Sequence, residues 1–195
     1  MEAIVLQNYI KERKIKMSKI LIVVDMQNDF ITGSLGTKEA EAIVEKVVEK
    51  IGAYKKQGHE VLYTRDTHNE TYLETSEGKK LPVIHCVKDT PGWHLAPAIQ
   101  KTVASEEKIY DKETFGAIQL GEKIKHLSEE EPDLEIELVG LCTDICVISN
   151  ALLIKAYVPE VTISVDAACC AGVTPESHTN ALNAMKMCQI EILNQ

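Results

Sequence analysis

Two cysteines four residues apart follow an apolar run in the stretch 140-GLCTDICVISNAL-152. Four residues make about one helical turn, so Cys142 and Cys146 are compatible with a metal site, a disulfide or a nucleophilic thiol. Thr143 or Asp144 is predicted to cap a helix, which sets Cys146 in its first turn. Amides and the dipole at that helix end would stabilise a thiolate or hold an oxyanion. Cys146 is therefore the candidate nucleophile, with two buried structural thiols as the alternative.

Acidic and basic side chains at other positions offer proton-transfer chemistry. Asp25 directly follows the apolar run ILIVV and could accept a thiol proton, although a turn role is the alternative and Asp29 competes for either. Lys112, in YDKETFGA, would supply positive charge beside a thiolate, unless it is an ordinary surface lysine. With Cys146, these residues predict a carboxylate, an ammonium group and a thiol for one reaction centre.

The segment 65-RDTH-68 carries ligand-type side chains. Asp66 and His68 alternate along an extended segment and so share one face. His85 could complete a ligand set for Zn²⁺, Fe²⁺ or Mn²⁺, and Glu74 or Glu77 could add a fourth ligand. The alternative is a polar loop with incidental histidines.

The elements that must position these side chains alternate between strand and helix. Continuous apolar runs predict strands, and apolar residues at helical spacing predict helices. A long functional loop is predicted between them over residues 66–95. The predicted strands are 20–24, 60–65, 108–111, 135–139, 161–165 and 189–193, and the predicted helices are 37–57, 116–127, 143–157 and 175–187.

This alternation predicts a single-domain three-layer α/β/α fold with a mostly parallel, doubly wound sheet. In such sheets the ligand crevice lies beyond the carboxyl ends of the strands. The candidate residues come directly after predicted strands, so we expect them to meet in that crevice. They are Asp25, Asp66, Lys112, Cys142 and Cys146.

Composition narrows the class of protein. The chain has 195 residues and a net charge of −9 without a basic stripe, which disfavours nucleic acid as a partner and favours a small-molecule substrate. No apolar run reaches the length of about 18 residues that spans a membrane. Six cysteines without a disulfide framework predict free thiols in a reducing cytoplasm, with Cys169 and Cys170 as packing thiols.

The N-terminus is predicted to stand apart from the domain. MSKILIVVDMQ, beginning at Met17, reads like a natural start. Residues 1–17 are therefore predicted to be an extension, or a mis-assigned start, and residues 18–195 the domain. A short amphipathic helix packed on the domain is the alternative.

Several motifs together resemble the isochorismatase-like cysteine hydrolases, and within them the nicotinamidase/pyrazinamidase branch. They occur in the family's order and span nearly the whole chain. The motifs are 24-VDMQNDF-30, 65-RDTH-68, 84-IHCV-87, 90-TPG-92, 111-DKETFGA-117 and 140-GLCTDICV-147.

The resemblance implies a catalytic triad of Asp25, Lys112 and Cys146. The thiolate would attack a carboxamide, release ammonia and leave a thioester that water hydrolyses. The resemblance also implies a cis peptide before Cys142, with the amides of Cys142 and Cys146 lining the oxyanion hole. The cysteine at position 146 separates this chain from the isochorismatase branch proper.

The same resemblance implies a divalent metal held by Asp66, His68 and His85, with Glu77 as a further ligand. Zinc is expected, with iron or manganese as alternatives, as an anchor for a pyridine nitrogen.

The resemblance also implies the residues of a substrate pocket. Phe30 matches a pocket aromatic. Leu81 stands near the position where relatives carry an aromatic, and Trp93 is expected to enter the pocket from another side.

The expected function is therefore hydrolysis of a small carboxamide, with nicotinamide as the first candidate, by an enzyme that forms homo-oligomers. Two alternatives stay open. The same triad could cleave another C–N bond, as in an N-carbamoyl or ureido compound. The chain could also be a catalytically silent protein that binds a small ligand or a partner.

Overall fold

The computed structural model describes residues 18–195, so the predicted extension 1–17 lies outside the described residues. Six strands within this part of the chain form one sheet in the order β3-β2-β1-β4-β5-β6, and every neighbouring pair is parallel. The strands are β1 Lys19–Val24, β2 Glu60–Asp66, β3 Ile109–Lys112, β4 Glu135–Leu141, β5 Thr162–Ala171 and β6 Glu191–Leu193.

Helices cover both faces of the sheet, which confirms the predicted three-layer α/β/α fold. Successive strand residues point to opposite faces, so β1 contributes Leu21 and Val23 to one core and Ile20 and Ile22 to the other. The first core contains helix α1, and the second contains helices α2, α3 and α4. The bounds are α1 Lys38–Lys56, α2 Ile118–Glu130, α3 Ile148–Tyr157 and α4 Pro175–Met187, with short helical turns at Asn28–Ile31, Tyr72–Glu74, Pro97–Gln100 and Glu106–Lys108.

Local sequence signals set the ends of the helices. The Thr37 side chain accepts a hydrogen bond from the amide of Ala40 and so caps α1. Gly58, in the left-handed region with a φ of 74°, follows the end of α1, as predicted. At α4, Thr174 and Ser177 form a capping box around Pro175.

Strand β5 extends to Ala171, six residues beyond the predicted end at Val165. The β4–β5 register shifts after Leu138, so the segment that follows Asp166 is irregular before pairing resumes at Cys170. Small residues, a carboxylate and two cysteines replace the branched apolar pattern here, and the sequence therefore resembles a strand end. The cysteines Cys169 and Cys170 are buried free thiols, as predicted.

Gly140 lets the ends of β1 and β4 approach each other closely. Its φ is 116°, and a Cβ at this position would lie 2.1 Å from the carbonyl oxygen of Val24. Only glycine, which has no Cβ, can adopt this positive φ while lying this close to the Val24 carbonyl oxygen. The order of strands reverses between β1 and β4, and a ligand crevice is expected at that point. No helix within residues 18–195 is long and apolar enough to cross a membrane.

Candidate active site and metal centre

The carboxyl ends of β1, β3 and β4 bring an acid, an ammonium group and a thiol together. Lys112 Nζ lies 2.7 Å from Asp25 Oδ2 and 3.4 Å from Cys146 Sγ. All three residues are at least 95% buried. Three residues far apart in sequence therefore form one contact group at the predicted edge of the sheet.

Asp25 is held by the neighbouring strand β2. The Thr64 hydroxyl donates to Asp25 Oδ1 at 2.5 Å, and the Asp25 amide donates back to the Thr64 carbonyl at 3.2 Å. Asp25 has a φ of 47°, which turns the chain sharply after β1. Its other oxygen, Oδ2, is paired with the Lys112 ammonium group. Thr64 carries no sequence signal, because a threonine inside a strand is an ordinary β residue.

The turn that carries Cys146 differs from the predicted helix start. Residues Thr143–Val147 form a π-helical turn before α3, and Cys142 occupies the N-cap position without a side-chain cap. The prediction of Thr143 or Asp144 as the cap is wrong, because both side chains have partners elsewhere. The Thr143 hydroxyl is 2.8 Å from His178 Nδ1, and the Asp144 carboxylate accepts from the Val173 amide. The Leu141–Cys142 peptide is cis, as the resemblance implied.

Asn150 joins this turn to the loop after Lys112. Its Nδ2 donates to the Cys146 carbonyl at 2.8 Å, and its Oδ1 accepts from the Ala117 amide at 2.9 Å. The residue is fully buried. Asn150 therefore fixes the two segments that carry the thiol and the ammonium group, a role that a single asparagine in a predicted helix does not reveal.

Burial governs the charges of the contact group. Burial raises the pKa of the Cys146 thiol well above its usual range, the Asp25 charge adds to this, and Lys112 opposes it. Burial and the Asp25 charge therefore oppose the expected stabilisation of a thiolate, and the Lys112 charge favours it. Burial also raises the pKa of Asp25, although Lys112 opposes it. Burial acts to lower the pKa of Lys112, but Asp25 and Cys146 outweigh it and hold that pKa well above 10.5.

Cys142 has a different environment from Cys146. It stands at the start of the turn, and burial raises its pKa to about 12. Its sulfur is therefore not a thiolate at neutral pH. Asp29, which competed with Asp25 in the sequence, accepts from the Cys86 amide at 2.7 Å and serves to join two loops.

Asp66, His68 and His85 form a cluster whose potential ligand atoms all lie within 4.8 Å of one another. His85 Nδ1 contacts the Val83 carbonyl oxygen at 2.8 Å, which leaves Nε2 free for a ligand role. His68 Nε2 lies 2.8 Å from Asp66 Oδ2 and has no hydrogen-bond partner of good geometry within residues 18–195. A buried, unpaired ring nitrogen beside a carboxylate and a second histidine fits a divalent metal.

Glu77 faces the same cluster. Its Oε1 lies 4.0 Å from His68 Nε2 and 3.9 Å from His85 Nε2. Glu74 is exposed on the turn at Tyr72–Glu74, so Glu77 is the better candidate for a fourth ligand.

Asp66 is held and kept ionised by its surroundings. Its amide donates to Gln27 Oε1 at 2.7 Å, and Gln27 Nε2 donates back to its carbonyl at 2.8 Å. Burial acts to raise the pKa of Asp66, but His68 and Lys112 outweigh it and lower that pKa. An ionised carboxylate is the form that binds a metal.

Tyr72 supports the histidines, and sequence reasoning missed it. Its ring centroid lies 4.5 Å from that of His68 and 4.9 Å from that of His85. Its hydroxyl donates to the Leu81 carbonyl at 2.9 Å. Tyr72 therefore packs behind the cluster and ties it to the loop that borders the cavity.

A cavity of about 620 Å³ opens onto Cys146 of the contact group and onto the cluster of candidate metal ligands. Most of its lining is apolar. Phe30 and Leu81 line it, as predicted, and Phe115 lines it without having been predicted. Cys142, Cys146, Asp66, His85 and Glu77 are also in the wall. A small ligand in this cavity can therefore reach the thiol and the candidate metal ligands together.

Trp93 does not line this cavity, contrary to the expectation for a pocket residue. Its indole nitrogen donates to Thr67 Oγ1 at 2.8 Å, and the Arg65 guanidinium lies 3.8 Å from its ring centroid. Arg65 also bonds both oxygens of Asp111, at 2.7 and 3.1 Å. Trp93 is therefore part of the packing around β2 and β3.

Residues 19–195 match the family model described as the isochorismatase domain. The chain belongs to this family. The nicotinamidase of Saccharomyces cerevisiae is 28% identical over 188 residues, which cover 76% of this chain and 86% of that protein. The nicotinamidase/pyrazinamidase of Mycobacterium tuberculosis is 26% identical over 185 residues, which cover 90% of this chain and 98% of that protein. The solved structure of Pyrococcus horikoshii pyrazinamidase in complex with zinc is 28% identical, with a TM-score of 0.75, over 91% of this chain and 99% of that one.

Proposed function

We propose that this isochorismatase-family hydrolase converts nicotinamide to nicotinate and ammonia through a thioester on Cys146. The observation that carries the proposal is the Lys112 ammonium group, which contacts both Asp25 and Cys146 beside a cavity shared with Asp66 and His85. Similarity to nicotinamidases and pyrazinamidases along nearly the whole chain supports an amide substrate of the nicotinamide type.

In the first half of the reaction, the thiol must lose its proton. Asp25 is the proposed base, because its raised pKa suits proton transfer from a thiol whose own pKa is raised. The thiolate attacks the amide carbon, and the backbone amides of Cys142 and Cys146 are proposed to bind the resulting oxyanion. Asp25 then returns the proton to the leaving nitrogen, so that ammonia departs and the acyl group stays on sulfur.

In the second half, water replaces ammonia in the same site. Asp25 takes a proton from the water as it attacks the thioester, the C–S bond breaks to release nicotinate, and Asp25 returns the proton to the departing sulfur to restore the thiol. Lys112 keeps its charge throughout. Its ammonium group orients the Asp25 carboxylate and stabilises the thiolate that forms beside it.

Asp66, His68 and His85 would hold a divalent ion, with zinc expected and Glu77 as the further ligand. When bound, this ion would supply a Lewis acid that anchors the pyridine nitrogen. The apolar side chains of Phe30, Leu81 and Phe115 would then enclose the ring. Such an arrangement would turn the carboxamide toward Cys146, which lines the same cavity.

Ammonia release from nicotinamide by the purified protein tests the proposal, before and after treatment with a chelator. Turnover is expected to fall after chelation and to return with Zn²⁺, Fe²⁺ or Mn²⁺. A protein that releases no ammonia from nicotinamide in any of these metal states would contradict the proposed substrate. A panel of N-carbamoyl and ureido compounds is assayed in parallel. Turnover of one of these compounds would indicate an enzyme for a different C–N bond, and no turnover of any would indicate a catalytically silent protein.

A further inference from the structure

The turn that carries Cys146 is tied to helix α4 by side chains that the proposed mechanism does not use. Thr143 is fully buried, and its hydroxyl lies 2.8 Å from His178 Nδ1. The next residue, Asp144, accepts a hydrogen bond from the Val173 amide at 3.1 Å. Two successive residues of the turn are therefore bonded to α4 and to the segment that leads into it.

His178 itself is held in a fixed place. It lies in the first full turn of α4, which is stabilised by the capping box at Thr174 and Ser177. A Cβ at Gly172 would lie 2.9 Å from both the amide nitrogen and the Cβ of His178. The glycine therefore allows close packing between the end of β5 and this helix, and the imidazole is a rigid partner for the turn.

The ring is suited to accept the hydrogen bond. Burial lowers the pKa of His178, although the charge of Asp144 opposes the shift. A neutral imidazole has one nitrogen that accepts, and the hydroxyl of Thr143 can donate to it. A buried hydroxyl without an acceptor would cost roughly 1–3 kcal/mol.

We propose that His178 is a positioning residue: through Thr143 it fixes the turn at residues 142–147, so that the amides of Cys142 and Cys146 face the oxyanion. This inference rests on the proposed function. Donors to an oxyanion act because they are aligned before the reaction begins. A displacement of about 1 Å in such a group can cost roughly 100-fold in rate.

Four single variants, and the double variant that combines Thr143→Val with His178→Ala, test the proposal with nicotinamide as substrate. His178→Asn keeps a polar atom near the position of Nδ1, whereas His178→Gln places its amide near Nε2 and His178→Ala removes both. We expect kcat to fall about 10-fold or more in the alanine and glutamine variants with KM within about twofold, and the asparagine variant to retain most of the activity. Thr143→Val should lower kcat by the same factor as His178→Ala. The double variant should lower kcat by no more than either single variant, because all three remove the same hydrogen bond.

Asn180→Ala is the matched control, because Asn180 is exposed two residues farther along the same helix. Its kcat and KM should equal those of the wild type. Thermal unfolding of every variant identifies any loss of folded protein, and rates are compared per folded molecule. A kcat for His178→Ala within about twofold of wild type, or losses in the two single variants that add in the double variant, would overturn the inference.

Hydrogen exchange separates this inference from the proposed function, because it needs no substrate. The peptide containing residues 142–147 should exchange faster in His178→Ala than in the wild type, and His178→Asn should restore slow exchange. A wild type that releases no ammonia from nicotinamide contradicts the proposed function alone. Exchange that is unchanged in His178→Ala contradicts the positioning role, whatever the substrate is.

Discussion

Two lysines in this molecule each lie between two carboxylates, and they have different surroundings. Lys112 Nζ is 2.7 Å from Asp25 and 3.2 Å from Asp66 at the carboxyl edge of the sheet. Lys50 Nζ, on α1, is 2.6 Å from Glu137 and 2.5 Å from Asp166. The ion-pair chemistry alone does not distinguish a reaction centre from a structural contact.

The partners of the carboxylates make the difference. Near Lys50, the Tyr54 hydroxyl donates to Glu137 at 2.7 Å and the Asn194 amide donates to Asp166 at 3.0 Å. Near Lys112, no hydroxyl or amide group within residues 18–195 donates to Asp25 Oδ2 in addition to the ammonium group, and that ammonium group also contacts a thiol beside a cavity. The Lys112 site therefore places a thiol and a carboxylate beside a cavity, whereas Lys50 belongs to a network in which each carboxylate has a further donor.

The largest effect is expected for Cys146, the thiol beside Lys112. Cys146→Ala removes the proposed nucleophile and should lower kcat by about 10⁴-fold or more. Ammonia release measures it, and circular dichroism checks that the fold is intact. Cys188→Ala is the control, because Cys188 is exposed, directly follows the last residue of α4 and does not line the cavity. Amide hydrolysis that survives in Cys146→Ala would refute the thioester mechanism.

Replacing each lysine with methionine tests whether the two sites differ in function. Lys112→Met should lower kcat by roughly 10²–10⁴-fold, because Asp25 loses the cation that orients it and the thiolate loses its counter-charge. Steady-state kinetics of Lys112→Met and Lys50→Met, measured side by side, check this. Equal losses in the two variants would mean that the two sites do not differ as described.

Lys50→Met should act on stability instead. It leaves Glu137 and Asp166 buried without their cation, and we expect the free energy of unfolding to fall by about 3 kcal/mol. Urea unfolding measures this value. The kcat of the folded variant should match the wild type. An unchanged unfolding free energy would show that the network contributes nothing to the fold.

The smallest effect concerns pH. Burial acts to raise the pKa of Asp166, but Lys50 outweighs it and holds that pKa below the ordinary value of 3.8. A lowered folded-state pKa contributes stability above 3.8 that is lost as the pH falls through the lowered value. Unfolding free energies measured between pH 5 and pH 3 should therefore fall less steeply in Asp166→Asn than in the wild type. Identical slopes would contradict the role of this carboxylate.

The sequence predicted the fold because each strand and helix carries its own pattern. Apolar runs placed β1, β2 and β4 to within two residues, and helical spacing placed α1 and α4. The convergence of Asp25, Lys112 and Cys146 followed from strand ends alone. Such patterns are local, and a parallel sheet converts them into neighbours in space.

The remaining features depend on contacts between distant segments. Thr64, Asn150 and His178 each bond a partner 33 or more residues away, as in the Thr143–His178 pair, and no spacing along the chain reveals these contacts. The raised pKa of Cys146 was not predicted, because the effect of burial on the thiol is larger than the effect of the nearby helix end. Burial of that degree is set by the packed core and not by the turn itself.

Lys112 lies on β3, an edge strand of four residues whose register is fixed beside the Arg65–Asp111 bonds. In that register, Asp66 is paired with Lys112. Because side chains alternate along a strand, a slip by one residue would turn Lys112 to the opposite face, away from Asp25. Catalytic activity in this protein would therefore report on strand alignment, since a molecule that misaligned β3 while folding would be compact and yet inactive.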